Sequence, residues 1–324
     1  MIGFESILRD ARIAGHEPLL YAVTPPRVTT PPERVAQLAE RTVERLSAMS
    51  ADGLVIYDLV DEADRSEAER PFPFLQTRDP AEYLEHWLGD WQGPSIVYRC
   101  VGKYDESELQ TWMLAQPRSV GAVFVGAASA GTPVRTDLRA AQRLRAEVRR
   151  DLPIGGVAIP ERHSVRGDEH ARLLRKQAAG CTYFVSQVVY DLGGAKDLAS
   201  DYAYACREAR VPPVPVFFTL SLCGSAKTLD FLHWLGVDIP RWMRNEMLHA
   251  DDTLEASLAF CLQTARELAE FCRYLRLPFG FNVESVSTRR DEIEATVDLA
   301  VAVREIIREP QPPRPRLRTH TAGR

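Results

Sequence analysis

Short apolar runs alternate with longer amphipathic segments along most of the chain. The runs are rich in β-branched residues and are bounded by glycine, proline or acidic residues, a pattern typical of strands buried on both faces. The segments between them place apolar residues at helical spacing, as Val35, Leu38 and Val43 do. The predicted strands are 19–23, 53–59, 95–101, 120–125, 154–159, 182–189, 215–220 and 279–283.

These eight strands alternate with helices, which predicts one closed α/β barrel, the (βα)8 or TIM-barrel fold. No linker interrupts the pattern, so residues 1–309 are predicted to form a single domain. The pattern breaks at Ile239-Pro240, and a long amphipathic helix from Asp252 to about Leu275 is expected as inserted helical material before the eighth strand. Residues 310–324 are rich in proline and arginine and lack apolar periodicity, and this basic tail is predicted to be disordered.

Composition and charge narrow the class of partner. A formal net charge of −5 argues against nucleic-acid binding, which needs a basic surface. No apolar run approaches the roughly 20 residues of a membrane span, and the N-terminus has no signal-peptide pattern. The six cysteines form no C-x-x-C pair, so reduced core thiols are expected and a metal site is not. These features predict a soluble cytoplasmic protein with a small-molecule ligand.

A series of short motifs surrounds one βαβ unit at 153–191, in which a strand, a charged loop, a helix capped by Asp168 and a second strand are predicted. The motifs resemble the PE-x-H, LK-x-K, TQ-[FL]-x-x-D, EFFPPR and V-x-IP-x-W segments of methylenetetrahydrofolate reductases. The resemblance covers most of residues 19–287. The matching segments are PERH at 160–163, LLRK at 173–176, SQVVYD at 186–191, AVTPPR at 22–27 and VDIPRWM at 237–243.

The resemblance implies a flavoprotein oxidoreductase of one-carbon metabolism that uses FAD and NAD(P)H to reduce 5,10-methylenetetrahydrofolate to 5-methyltetrahydrofolate. It places His163 at the flavin and Arg175 and Lys176 at the ribityl and phosphate groups of the cofactor. Gln187 is implied to contact both flavin and substrate. From the residues alone, a helix-end role explains Arg175 and Lys176 equally well, because cations stabilise the carboxyl end of a helix.

Ligands of parallel barrels bind at the carboxyl ends of the strands, so residues near those ends are expected to line the site. Tyr98 is predicted to contact the cofactor there. Gln187 lies within an apolar strand, where an amide is costly without a partner, and a ligand is favoured as that partner. The expected lining residues are Tyr98, His163, Gln187, Thr219 and Glu284.

Two positions depart from the reductase pattern. The family's strand-one glutamate is replaced by Ala22, and its strand-four arginine-glycine-aspartate run reads Val-Gly-Ala at 125–127. Reduction of the methylene group requires a proton for the departing nitrogen, and alanine cannot supply one. Glu284, at the end of strand eight beside strand one, and Asp58, at the end of strand two, are the candidate replacement acids.

Three hypotheses stay open at this point. The first is a reductase in which another acid has taken over, and the second is a divergent enzyme with a related cofactor and different chemistry. The third is a non-catalytic homologue that binds a ligand, such as folate or flavin, or a partner. A homo-oligomer also stays open, and a rival of another class is that the whole chain is a subunit of a larger complex. In that case the loop at 61–78 and the basic tail would be contact surfaces.

Overall fold

The computed structural model describes residues 3–61, 69–126 and 133–309. Within these residues eight parallel strands form a closed barrel in which each strand pairs with its neighbours in chain order and β8 pairs with β1. The prediction of a (βα)8 barrel is therefore confirmed. The strands are β1 (Leu19–Val23), β2 (Gly53–Ile56), β3 (Ser95–Cys100), β4 (Val120–Val125), β5 (Ile154–Ala158), β6 (Cys181–Val188), β7 (Val216–Ser221) and β8 (Phe279–Glu284).

Helices surround the barrel and none of those described is long and apolar enough to cross a membrane. The helices preceding β5 are α1 (Glu5–Asp10), α2 (Pro32–Ala48), α3 (Pro80–Trp87), α4 (Glu106–Ala115) and α5 (Leu138–Val148). Those that follow β5 are α6 (Pro160–Arg166), α7 (Glu169–Ala178), α8 (Leu192–Glu208), α9 (Ala226–Trp234), α10 (Arg241–His249), α11 (Thr253–Leu275) and α12 (Arg290–Arg308). The extra helices before β8 agree with the prediction, and the predicted disordered tail lies outside the described residues.

Acidic residues begin several helices on the side of the barrel where the strands end. Asp105 accepts a hydrogen bond from the Glu108 amide while the Glu108 side chain bonds back to the Asp105 amide, which is a capping box. Asp79 and Asp252 cap α3 and α11 through their carboxylates. Each such cap satisfies amide groups that a helix leaves open, and it fixes where the loop after the strand ends.

The segment at 160–166 is helical, whereas the sequence predicted a charged loop there. Pro160 opens α6 in the first turn, where its missing amide hydrogen is no loss, and Gly167 ends it at φ 67°. Asp168 comes before α7 as predicted but makes no cap bond; its carboxylate lies 3.3 Å from the Arg172 guanidinium instead. Two helices joined by a tight turn therefore connect β5 to β6.

The amino-terminal end of the barrel is packed solid. Phe4 and Ile7 of α1 are buried against the strands from inside, and the Phe4 ring lies 5.2 Å from that of Tyr183. Gly121 makes room for this plug, because a Cβ atom there would lie 2.8 Å from the Phe4 ring. The Tyr183 hydroxyl donates to the Ala122 carbonyl at 2.7 Å, so the polar atom of this layer has a partner. A ligand can therefore enter only from the opposite end.

Candidate functional site

A connected set of polar side chains occupies the carboxyl end of the barrel. Asn282 of β8 donates from Nδ2 to the Tyr57 hydroxyl at 3.0 Å and to Thr219 Oγ1 at 3.2 Å. The Tyr57 hydroxyl also interacts with the Glu284 carboxyl, and the Tyr57 ring packs edge-on against Tyr98 at 4.8 Å. We call these five residues the Glu284 network. Because they come from β8, β7, β3 and the end of β2, only the closed barrel brings them together.

Glu284 is the central ionisable group of this network. It pairs in register with Ala22 of β1 on one side and with Ser221 of β7 on the other, and it is 9% exposed. Its expected position beside strand one is confirmed. Burial raises the pKa of Glu284 to about 7, partly offset by the hydrogen bond from Tyr57. The carboxyl group therefore holds a proton close to neutral pH, at the position beside the missing strand-one acid.

Burial and the nearby Glu284 charge together raise the pKa of Tyr57 well above its ordinary value. The phenol therefore stays neutral and can act as a hydrogen-bond donor.

Three buried polar atoms at the same end have no hydrogen-bond partner among the described residues. They are Glu284 Oε2, Asn282 Oδ1 and Ser221 Oγ. An unsatisfied buried acceptor costs roughly 1–3 kcal/mol, so such atoms are rare unless a ligand or water supplies a donor. Their position on two adjacent strand ends makes this end of the barrel a candidate site for water or a ligand that donates hydrogen bonds.

An aromatic cluster with two cations lies above the strand ends. It joins the loop after β2 to α9, which follows β7: the Phe72 ring meets the Phe231 ring edge-on at 5.3 Å. Arg70 lies over the Trp234 ring at 4.7 Å, and Lys227 Nζ lies 4.6 Å from the Phe72 ring centre. Flat rings and positive charge therefore lie at the same end of the barrel as the Glu284 network.

The loop that carries Phe72 is held by the preceding βα loop. Arg27 and Thr77 form an antiparallel bridge, and the Val28 amide donates to the Gln76 carbonyl at 3.1 Å. Arg78 extends this contact through a bond to the Thr30 carbonyl. The described part of the loop at 61–78 is thus fixed across the strand ends rather than projecting outward.

The structure brings three of the predicted lining residues together, namely Tyr98, Thr219 and Glu284. Asp58, the other candidate acid, lies outside the network. Its carboxylate accepts from the Cys100 amide at 2.8 Å and pairs with Lys103 at 2.5 Å, so both oxygens bind the chain that follows β3. Asp58 thus links the ends of β2 and β3. Of the two candidate acids, Glu284 is the one that lies beside the unpaired polar atoms of Asn282 and Ser221.

Gln187 has a protein partner. Its Nε2 donates to the Leu235 carbonyl at 3.1 Å, which ties β6 to the end of α9. The premise that this amide needs a ligand is therefore wrong, because the polypeptide already satisfies it. Its role in substrate or flavin contact stays a prediction.

The predicted flavin contacts lie in the helical layer. His163 is buried between α6 and α8, with Nε2 3.2 Å from Asp201 Oδ2. Lys176 Nζ donates to the Val157 carbonyl and lies 3.7 Å from the buried Glu169 carboxylate, while Arg175 is exposed in the last turn of α7. These side chains do not form a phosphate cradle with Tyr98, and Ala127 of the strand-four loop lies outside the described residues.

Sequence reasoning missed Tyr57, Asn282 and Ser221. Each is a polar residue in or beside an otherwise apolar strand, and Asn282 is fully buried between Phe281 and Val283. A buried amide in such a run is costly without partners, so the run FGFNVE carried a signal that could have been used. The partners themselves come from other strands and could not be identified from that run.

Comparison with known proteins identifies a close relative. No family model and no curated protein matches the sequence. Among solved structures, an uncharacterised protein from Clostridium thermocellum that binds two copies of 5-methyl-5,6,7,8-tetrahydrofolic acid is 40% identical, with a TM-score of 0.80. The match covers 93% of this chain and 98% of that chain. The chain therefore belongs to the same family of (βα)8-barrel proteins as this Clostridium protein.

A weaker match is dihydropteroate synthase from Xanthomonas albilineans in complex with 7,8-dihydropteroate, at 15% identity and a TM-score of 0.47. It covers 90% of this chain and 94% of that one, but a likeness of this strength carries no functional argument. Membership of the methylenetetrahydrofolate reductases themselves stays a prediction, since the close match is to a folate-binding barrel.

The raised pKa of Glu284 predicts a measurable pH dependence of stability. The folded protein binds this proton more tightly than the unfolded chain does. The proton's contribution to the free energy of unfolding is therefore complete below the ordinary pKa of 4.5 and is lost as pH rises through about 7. Glu284→Gln cannot ionise and escapes this loss. Between about pH 5 and about pH 8 the variant should gain roughly 2–3 kcal/mol in unfolding free energy relative to the parent.

Urea unfolding at the two pH values measures this difference. Glu161 is a second buried carboxyl whose pKa burial raises to about 7, and it is unchanged in both proteins, so the difference reports Glu284 alone. The exposed Glu246→Gln is the matched control and should show no pH-dependent gain. A parallel pH dependence of parent and Glu284→Gln would show that Glu284 is ionised in the folded state throughout.

Proposed function

We propose that this protein binds a reduced folate at the carboxyl end of the barrel, with the pterin ring on the Glu284 network. The observation that carries the proposal is the 40% identity, over nearly the whole of both chains, to a barrel that binds 5-methyl-5,6,7,8-tetrahydrofolic acid. The unsatisfied acceptors of Glu284, Asn282 and Ser221 support it, because a reduced pterin offers an amino group and ring N–H groups as donors.

The aromatic cluster suits the remainder of a folate. The aminobenzoyl group is flat and can stack or meet edge-on with Phe72, Phe231 or Trp234. The glutamate that follows it carries negative charge, and Arg70 and Lys227 supply positive charge among these rings. One apolar and cationic surface therefore complements the end of the ligand opposite the pterin.

We further propose that Glu284 acts as the general acid of a methylenetetrahydrofolate reductase-like reaction. Its proton is held near neutral pH, and in register it lies beside Ala22, where the reductases carry their acid. The carboxyl group would protonate the nitrogen that departs as the methylene ring opens, and the neutral Tyr57 phenol would orient it. The hydride would come from NAD(P)H.

A second candidate function is folate binding without redox chemistry, as a carrier or a subunit of a complex. The position of Lys176 favours it: the ammonium group is used by Val157 and Glu169 rather than offered to a phosphate. The residues predicted to hold FAD do not fit that cofactor, so no step of the mechanism is assigned to it. The two candidates share the folate site and differ only in turnover.

Binding of 5-methyltetrahydrofolate tests the shared proposal. Asn282→Ala leaves Tyr57 and Thr219 without their common hydrogen-bond donor, and it removes a protein acceptor for the N–H groups of the pterin. The dissociation constant measured by calorimetry should therefore rise roughly 5- to 100-fold. Glu246→Gln, on the exposed side of α10, is the control and should bind as the parent does. Equal affinity of Asn282→Ala and the parent, with both folded by circular dichroism, would place the folate elsewhere.

An exchange of the acid between strands tests the catalytic proposal. Glu284→Ala should lower the rate of NAD(P)H-dependent methylenetetrahydrofolate reduction by roughly 10²–10⁴-fold, which is the usual contribution of a general acid to the rate. Adding Ala22→Glu restores a carboxyl on the adjacent strand at nearly constant volume, and it should recover part of the rate.

The assay is run with and without added FAD. A parent that binds folate but shows no turnover in either condition would support the non-catalytic candidate. A rate that does not change in Glu284→Ala would show that another group delivers the proton.

We propose a second folate position as well, because the Clostridium relative binds two copies. An open cleft lies between the loop after β6 and helices α10 and α11. Trp242 is 60% exposed beside it and meets Phe260 edge-on at 5.5 Å, which leaves one face for a flat ligand. Asp191 and Gln263 add polar groups to the same cleft.

Trp242→Ala should reduce the stoichiometry of 5-methyltetrahydrofolate from two per chain to one, because the variant loses the exposed ring without altering the barrel interior. The stoichiometry is read from calorimetric titration at saturating ligand. Leu248→Ala, an exposed apolar residue on the same helix, is the matched control and should keep two. A stoichiometry of two in Trp242→Ala would exclude this cleft as the second position.

A further inference from the structure

Three consecutive helices of the outer layer bring two histidines and a carboxylate together. His163 comes from α6, His170 from α7 and Asp201 from α8. His163 Nε2 lies 3.2 Å from Asp201 Oδ2, and His170 Nδ1 lies 4.0 Å from the same oxygen. One ligand atom from each residue falls within 4.8 Å of the others. These residues are spatially separate from the Glu284 network.

We propose that this cluster is a binding site for a divalent transition-metal ion of the Zn²⁺ class. Two imidazole nitrogens and one carboxylate oxygen are a common three-ligand set for such ions, with a fourth position left for water. Zinc bonds of about 2.0–2.2 Å place tetrahedral ligand atoms roughly 3.3–3.5 Å apart. The His163 to Asp201 distance is already in that range, and the remaining distances need side-chain shifts of about an ångström.

The hydrogen bonding of the two rings supports a metal. His163 is 5% exposed, and His170 Nδ1, the nitrogen closest to Asp201, is buried without a hydrogen-bond partner among the described residues. Both rings approach the same oxygen of Asp201. A hydrogen bond from one ring nitrogen satisfies this arrangement only in part. A metal ion would accept the lone pair of each ring and bind the carboxylate at the same time.

Access and local charge are also suitable. The Asp201 side chain is 54% exposed, so an ion and its water ligand can reach the site from solvent. The nearby cations are already paired: Arg162 lies 2.9 Å from Glu169, and Arg172 lies 3.3 Å from Asp168. The metal would therefore meet a site whose surrounding charges are already balanced. By binding α6, α7 and α8 at once, it would fasten the two-helix connection between β5 and β6 to the next helix.

The test uses the full chain after removal of metals with a chelator. Titration with Zn²⁺ against a chromophoric competitor should show one tight site per chain, and the thermal midpoint should rise with Zn²⁺ concentration because the ion binds only the folded state. Addition of Co²⁺ should give the intense visible absorption of a site with four nitrogen and oxygen ligands. Non-specific stabilisation by added salt would not produce this absorption.

Two variants separate the site from other histidines. His170→Ala and Asp201→Asn each remove one ligand from a partly exposed position, and each should weaken Zn²⁺ binding by at least tenfold and abolish the Co²⁺ spectrum. His249→Ala, an exposed histidine of α10, is the matched control and should bind as the parent does. The proposal is overturned if the parent binds no stoichiometric Zn²⁺, or if binding survives unchanged in both ligand variants.

Discussion

The buried carboxyl of Glu284 is the constraint around which the carboxyl end of this barrel is organised. Barrel closure sets β8 between β7 and β1, and the register then places Glu284 beside Ala22 and Ser221 at the inner rim. A carboxylate there would lose most of its hydration, so the group holds its proton to about pH 7. Tyr57, which Asn282 holds in place, partly offsets this effect of burial on the pKa.

The rest of the fold maintains that environment. Phe4, packed against Tyr183, fills the amino-terminal end of the barrel below Glu284. At the carboxyl end, the contact between Phe72 and Phe231 packs the loop after β2 against the helix after β7. The proton on Glu284 is thus a consequence of packing at both ends of the barrel, which is how a conventional carboxylic acid becomes an acid useful near neutral pH.

The position of the buried acid distinguishes this barrel from the reductases that the sequence resembles. In the reductases that the sequence resembles, an acid on strand one acts beside a flavin. Here Ala22 occupies that strand, Glu284 stands on the neighbouring one, and Lys176 is joined to Glu169 in the helical layer. The acid beside strand one has therefore changed strand, and the lysine that the resemblance assigns to a flavin phosphate pairs with a carboxylate instead.

The sequence predicted the fold well because the barrel is encoded locally, by alternating apolar runs and amphipathic helices. It also placed Glu284 beside strand one, since strand eight of a closed barrel has no other free neighbour. Tyr57 and Asn282 escaped prediction because they join Thr219 and Glu284 only through the register of several strands. Gln187 illustrates the opposite error: its partner, the Leu235 carbonyl, is 48 residues away and left no pattern in the sequence.

The most direct test is the titration of the Glu284 carboxyl by NMR in carbon-13-labelled protein, with the signal assigned by its loss in Glu284→Gln. In the free protein the carboxyl should titrate near pH 7. Saturation with 5-methyltetrahydrofolate should lower that pKa by about one unit or more, because pterin N–H groups donate to the charged form. A carboxyl that titrates at its ordinary value, or whose pKa does not change when folate binds, would contradict the placement of the ligand on this network.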